Sequence, residues 1–161
     1  FAAASGHLHC LRFLIDQGCA WDNVATSHAS AYGHVDCLQF LIERGAVLDA
    51  LVSCAAAIHG RLNCLQFIKE QGLLYAKEAL FDAVKNEQLE CVVFLMNETG
   101  WWNHLATNYL ITLEPKIAKH PDKIEVFMHI LTTLVDRRVH GHEHLVQLPL
   151  YKEWTICPWL K

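Results

Sequence analysis

The chain has 161 residues, 53% of them apolar and 19% charged, with a net charge of −4. That length and apolar content supply one substantial core, while the acidic balance and the absence of a basic stripe argue against a nucleic-acid-binding chain. No apolar run reaches the roughly 18 residues of a membrane span, because Asp, Glu, Lys, Arg or His interrupts every one.

Phe1 to Gly6 reads as the end of a helix, followed by a second helix from about Leu8 to Gln17 that Gly18 stops. The chain starts inside that expected first helix, which reads as a fragment of something longer and leaves targeting signals unassessable. Further on, Gly33-His34-Val35-Asp36-Cys37-Leu38-Gln39-Phe40-Leu41-Ile42-Glu43-Arg44-Gly45 repeats the pattern of Gly6 to Gly18, and Gly60 to Gly72 repeats it again. A weaker copy runs from Leu89 to Gly100. Cys10, Cys37, Cys64 and Cys91 are spaced by 27 residues, and so are Phe13, Phe40, Phe67 and Phe94. A fixed period of this length denotes a repeat array.

Within each copy Val35, Leu38, Leu41 and Ile42 form an apolar helical stripe, with Asp36, Gln39 and Glu43 opposite. Ala2, Ala29, Ala56 and Ala83 form one column of the preceding helices, where a small side chain allows close helix approach. Asp22 and Asp49 are placed to cap the helices that follow them. The fourth unit diverges: Glu87 stands where the turn Gly is expected, Gln88 replaces His, and one extra residue precedes Gly100. A further helix is expected over Trp101 to Leu113, broken at Glu114-Pro115. A long one follows from Pro121 to about Val139, with Ile124, Phe127, Ile130, Leu131 and Leu134 on one face and Arg137-Arg138 at its end. The tail, His140 to Lys161, holds Gly141, Pro149 and Pro158 and reads as irregular, yet it is too apolar to be left in water.

The unit resembles an ankyrin repeat over roughly the first 100 residues. Ala29-Ser30-Ala31-Tyr32-Gly33 and Ala56-Ala57-Ile58-His59-Gly60 are similar to that family's inner-helix end, and His34 to Ala46 to its outer helix. The family unit is about 33 residues, so six are missing here, all where the family builds its β-hairpin finger; the family's Thr-Pro-Leu-His opening is also replaced, by Val24-Ala25-Thr26-Ser27. The short form looks like arrays of protists and large DNA viruses. The expected architecture is an all-α, ankyrin-like solenoid of four to five helix pairs without long fingers. Repeats are expected over 1–22, 23–49, 50–76 and 77–100, a divergent capping pair over 101–139, and the tail over 140–161.

Site chemistry is sparse. Members of the Cys column stand about one helix spacing apart, near 10 Å, too far for a disulfide or a shared zinc, so Cys10, Cys37, Cys64 and Cys91 read as buried, reduced, metal-free core. Seven cysteines without close pairing point to an intracellular, reducing compartment, cytoplasmic by default. His7 and His34 occupy a position the family also gives to His, where a ring nitrogen serves the turn backbone. His140-Gly141-His142-Glu143-His144 is the one dense ligand cluster, but its spacing matches no zinc motif. No phosphate loop, nucleophile elbow or catalytic Cys-His pairing is present, so no enzyme, cofactor or metal is expected.

The resemblance implies a protein-binding scaffold that uses the concave, inner-helix face. The pairs before each turn Gly vary from unit to unit: Ala4 and Ser5, Ala31 and Tyr32, Ile58 and His59, Lys85 and Asn86. With His28 and Asp82 one turn earlier, these are the candidate partner-binding residues. Lacking fingers, the groove is expected to be shallow and suited to helix-face contact. Low charge and five Trp, with Trp101, Trp102, Trp154 and Trp159 as candidate contacts, suit a second reading: a subunit of a large multi-subunit assembly held by its cap and tail. A third reading, a ubiquitin-ligase receptor, rests on Leu148-Pro149-Leu150, which resembles the suppressor-of-cytokine-signalling box; that box expects Cys where Val135 stands and Pro where Tyr151 stands.

Overall fold

Asp22 and Asp49 start the inner helices by the same device. Each is extended and holds its carboxylate over the next turn, Oδ1 accepting from Val24 N and from Leu51 N, both at 3.0 Å. The computed structural model describes residues 1–99, 111, 114–115, 117–119, 121–136, 146–149 and 151–152. Among these, the helices are α1 (Leu8–Asp16), α2 (Asn23–Tyr32), α3 (Val35–Glu43), α4 (Ala50–Ile58), α5 (Leu62–Glu70), α6 (Lys77–Lys85), α7 (Leu89–Thr99) and α8 (Pro121–Asp136), and no strand is present. The contacts divide the chain into two units, Phe1–Phe94 and Leu95–Lys161.

The first unit is a helical repeat solenoid. Its inner row sets α2 against α4 and α4 against α6, and its outer row sets α1 against α3 and α3 against α5. Ala29, Ala56 and Ala83 are wholly buried in the inner row, where any larger side chain would push the helices apart. Cys37, Leu38, Phe40 and Leu41 in α3 and Cys64, Leu65, Phe67 and Ile68 in α5 form matching buried faces. The stripe is wider than the one read from sequence, because Cys and Phe join it while Val35 and Ile42 are only half-buried. Buried hydroxyls also tie one unit to the next. Ser30 Oγ donates to Val52 O at 2.7 Å, and Ser53 Oγ accepts from Ala76 N at 3.1 Å, so neither is left unpaired in the core.

Residues 2–6 form turns rather than the helix end expected there, and glycines in the left-handed region lead into the outer helices, Gly6 at φ 69° after those turns and Gly33 at φ 82° at the end of α2. Space adds a second requirement at Gly6, where a Cβ would lie 2.6 Å from the His34 ring. In the fourth repeat Glu87 takes the same conformation, φ 60°, without glycine's freedom. The helix after it, α7, runs 11 residues where α3 and α5 run nine.

One expectation about the repeated columns fails. Cys10 and Phe13 are exposed, Phe13 by 65%, although their column mates Cys37, Cys64, Cys91, Phe40 and Phe67 are buried. In α3 the column is covered from the preceding unit, where Arg12 of α1 lies 5.0 Å from the Phe40 ring. Glu114 and Pro115 are themselves helical, and Ala118 N donates to Glu114 O at 2.9 Å; of the helix expected over Trp101 to Leu113, all but Ile111 lies outside the described residues. Proline's fixed φ is itself a helical φ, so it is accommodated where its missing N–H is not needed. In the second unit, α8 buries Phe127, Met128, Ile130 and Leu131, with Ile124 half-buried. Arg137, Arg138, the His140 to His144 cluster and most of the tail lie outside the described residues.

Candidate partner-binding face

A stripe on α4 and its cap recurs at spacings of three and four: Leu51, Cys54, Ala55, Ile58 and His59. One period back it becomes Val24, Ser27, His28, Ala31 and Tyr32 on α2, and one period on Glu78, Phe81, Asp82, Lys85 and Asn86 on α6 and its cap. These stripes are the part of the inner row turned away from the Ala29-Ala56-Ala83 contact. Tyr32 is 55% exposed, and its ring stacks on His59, with centroids 6.3 Å apart and planes at 14°. Two residues 27 apart in sequence are thereby joined into one aromatic surface.

The remaining sequence candidates divide. His28, Lys85 and Asn86 are exposed, Ile58 and Asp82 are half-buried, and Ser5 is exposed in the turn before α1. Asn86 Nδ2 donates to Asp82 O at 2.8 Å, so this side chain also finishes α6. Ala31, expected on the face, is buried. Trp101, Trp102, Trp154 and Trp159 lie outside the described residues.

Sequence reading missed Val24 and Leu51, which resemble core residues by type but are 53% and 62% exposed at the inner-helix starts. Their signal was the period: they stand one repeat apart, one turn before the half-buried Ser27 and Cys54. Cys54 was missed as well. Burial, a hydrogen bond with the Asp82 side chain, and the charges of Asp82, Glu78 and Asp49 push its thiol up to about 12, so it stays protonated and unreactive at neutral pH.

The histidine column does its work between units rather than within one turn. His34 Nε2 donates to Ala4 O in the turn before α1 at 3.0 Å, and one period on Arg61 Nε donates to Ala31 O at the C-terminal end of α2 at 3.0 Å, so each serves a carbonyl of the preceding unit. Asn63 Nδ2 adds a bond to Gly33 O at 2.9 Å. These side chains therefore belong to the scaffold. On the outer row Arg12 and Arg44 lie 5.0 and 4.7 Å from the Phe40 ring, and Arg44 pairs with Asp16 at 2.8 Å in solvent. A cavity lined by Leu48, Asp49, Val52, Ser53, Ile68 and Leu73 opens between two connections, but Asp49 already caps α4 and Ser53 bridges Ala50 O and Ala76 N. Among the described residues no three His, Cys, Asp or Glu side chains gather as metal ligands, and no helix is long and apolar enough to cross a membrane.

The ankyrin repeat family model matches residues 25–51, one full period from within α2 to the start of α4. No curated protein and no solved structure matches the chain.

Proposed function

We propose that this chain, which carries an ankyrin repeat at residues 25–51, is a non-enzymatic scaffold that binds a protein partner on its inner-helix face. Ankyrin repeats generally mediate protein–protein interaction. In this reading residues 1–100 form the array, 101–139 a capping pair and 140–161 a tail.

The observation that supports it is the exposed, stacked Tyr32–His59 pair. A Tyr offers a large amphipathic surface at little entropic cost, and truncating such an anchor costs over about 1 kcal/mol at a binding centre. Stacking on His59 fixes the ring before a partner arrives, which lowers the ordering cost of binding.

The test begins with a partner co-purified from the source and reconstituted with the purified chain. Tyr32→Ala and His59→Ala should weaken binding, while Gln39→Ala and Glu43→Ala on α3 should leave it unchanged. Binding lost only when Tyr151 to Lys161 is deleted, or when Trp101 and Trp102 are changed, would mean that the array is a spacer within an assembly.

A further inference from the structure

The three inner-helix stripes align into rows with distinct properties. Val24 and Leu51 form an exposed apolar row, and Tyr32 and His59 an exposed aromatic one. Between them the strip is half-buried at Ser27, Cys54, Ala55 and Ile58 and buried at Ala31, with exposed His28 rising from it on α2. Two raised rows flanking a low strip make a shallow trough that runs across the helices. Its width follows from helical rise: eight residues separate Leu51 from His59, or about 12 Å at about 1.5 Å per residue. An α-helix with its side chains is about 10 to 12 Å across. A single extended strand occupies only about 5 Å in the plane of a sheet and would reach one row but not both.

The trough changes character at α6. Where α2 and α4 present Val24 and Leu51, α6 presents Glu78; where they present His28 and Ala55, it presents Asp82. Asp82 lies within hydrogen-bonding reach of the Cys54 thiol, and the charges of Asp82, Glu78 and Asp49 all act on that thiol, so three carboxylates gather at this part of the face. Lys77 precedes this acidic spot and Lys85 lies one turn beyond it, in the row of Ala31 and Ile58. The acidic spot is thus confined to the Leu51 side of α6 and offers a cation one place to sit.

Resting on the inner-face reading above, we propose that the partner contributes an amphipathic α-helix that lies in this trough across α2, α4 and α6, with apolar side chains between the two rows and a Lys or Arg against Glu78 and Asp82. Packed helices stand about 8 to 10 Å apart, so three of them span about 20 Å between outer axes. A helix of about 16 residues, about 24 Å long, covers that distance. Its apolar positions should recur at i, i+3, i+4 and i+7, the pattern of helix-in-groove recognition.

A phage-displayed library of random 16-residue peptides, selected on the immobilised chain, tests this. Recovered peptides should be helix-forming, carry that apolar spacing, and carry Lys or Arg at one edge. Binding of a synthesised winner should fall about 10-fold with Tyr32→Ala and severalfold with Glu78→Lys, and changing the peptide's cation to Glu should restore binding to the Glu78→Lys variant. Circular dichroism of each variant checks that the fold is intact. Winners that are extended, proline-rich or acidic, yet still lost with Tyr32→Ala and Leu51→Asp, would overturn the helix proposal and leave the inner-face reading standing. Winners indifferent to both substitutions would overturn the two together. An empty selection would overturn the helix proposal alone, since the co-purified partner tests the face independently.

Discussion

Ala56→Leu is the sharpest test of the register. Ala56 is wholly buried in α4, the helix packed on both α2 and α6, and its column mates Ala29 and Ala83 are wholly buried too. A leucine here has no empty volume to enter and must displace a neighbouring helix or leave its rotamer, at about 1 to 3 kcal/mol. The control is the same substitution one residue earlier. Ala55 is half-buried on the inner face, where a leucine can extend toward solvent. Helix propensity changes equally in the two variants, so their difference isolates packing. Urea unfolding followed by far-ultraviolet circular dichroism should show the Ala56→Leu midpoint lowered by about 0.5 to 1 M and Ala55→Leu within about 0.5 kcal/mol of the parent. Because α4 touches a neighbour on each side, the variant should also weaken coupling between repeats and broaden the transition. Equal midpoints for the two variants would refute the assignment of Ala56 to the helix contact.

Thiol labelling of the native chain should modify the exposed Cys10 and Cys19 quickly and the buried Cys37, Cys64 and Cys91 slowly, with all of them fast after denaturation; rapid native labelling at Cys64 would contradict its burial. Burial raises the Cys64 and Cys91 thiols to about 11 from 9.0. The unfolded chain therefore loses these protons first, and stability should be flat below pH 9 and fall between pH 9 and 11, by on the order of 1 kcal/mol per thiol at one unit above the ordinary value. The difference in alkaline slope between the parent and Cys64→Ala/Cys91→Ala separates this from Lys and Tyr titration, and identical slopes would refute it. Arg61→Ala should cost about 1 to 2 kcal/mol by exposing the Ala31 carbonyl, whereas His7→Ala, an exposed ring in the same column, should stay within about 0.5 kcal/mol on the same unfolding curves.

The array was legible because each unit meets the same neighbours, so selection of side chains by packing repeats every 27 residues. The Ala column, the Asp caps and the turn glycines are direct consequences of that repetition. What escaped the sequence was whatever depends on a neighbour's presence rather than on residue type. Cys10 and Phe13 match their columns in identity yet lie exposed on α1, while the same columns are covered in α3 and α5. The converse holds at His34 and Arg61, two unlike residues that make the same bond to the preceding unit and cannot be equated by identity. Of the candidate face, Tyr32 and His59 were readable as variable positions before a glycine, but their stacking was not, since it depends on how far one inner helix is set from the next. Val24 and Leu51 were missed because an apolar type at a helix start says nothing of which way it turns.

Columns that hold and rows that vary then divide the surface by physical role. Ala29, Ala56 and Ala83 are identical because close helix approach admits nothing else. Across the trough the backbone positions are equivalent, yet the side chains run Val24, Leu51, Glu78 in one row and Tyr32, His59, Asn86 in another. Exposed apolar residues scattered singly are ordinary, but Val24, Leu51 and Tyr32 lie on one face, beside the half-buried Asp82. In the proposed inner-face reading, these are the side chains by which a partner would distinguish this array from another of the same backbone.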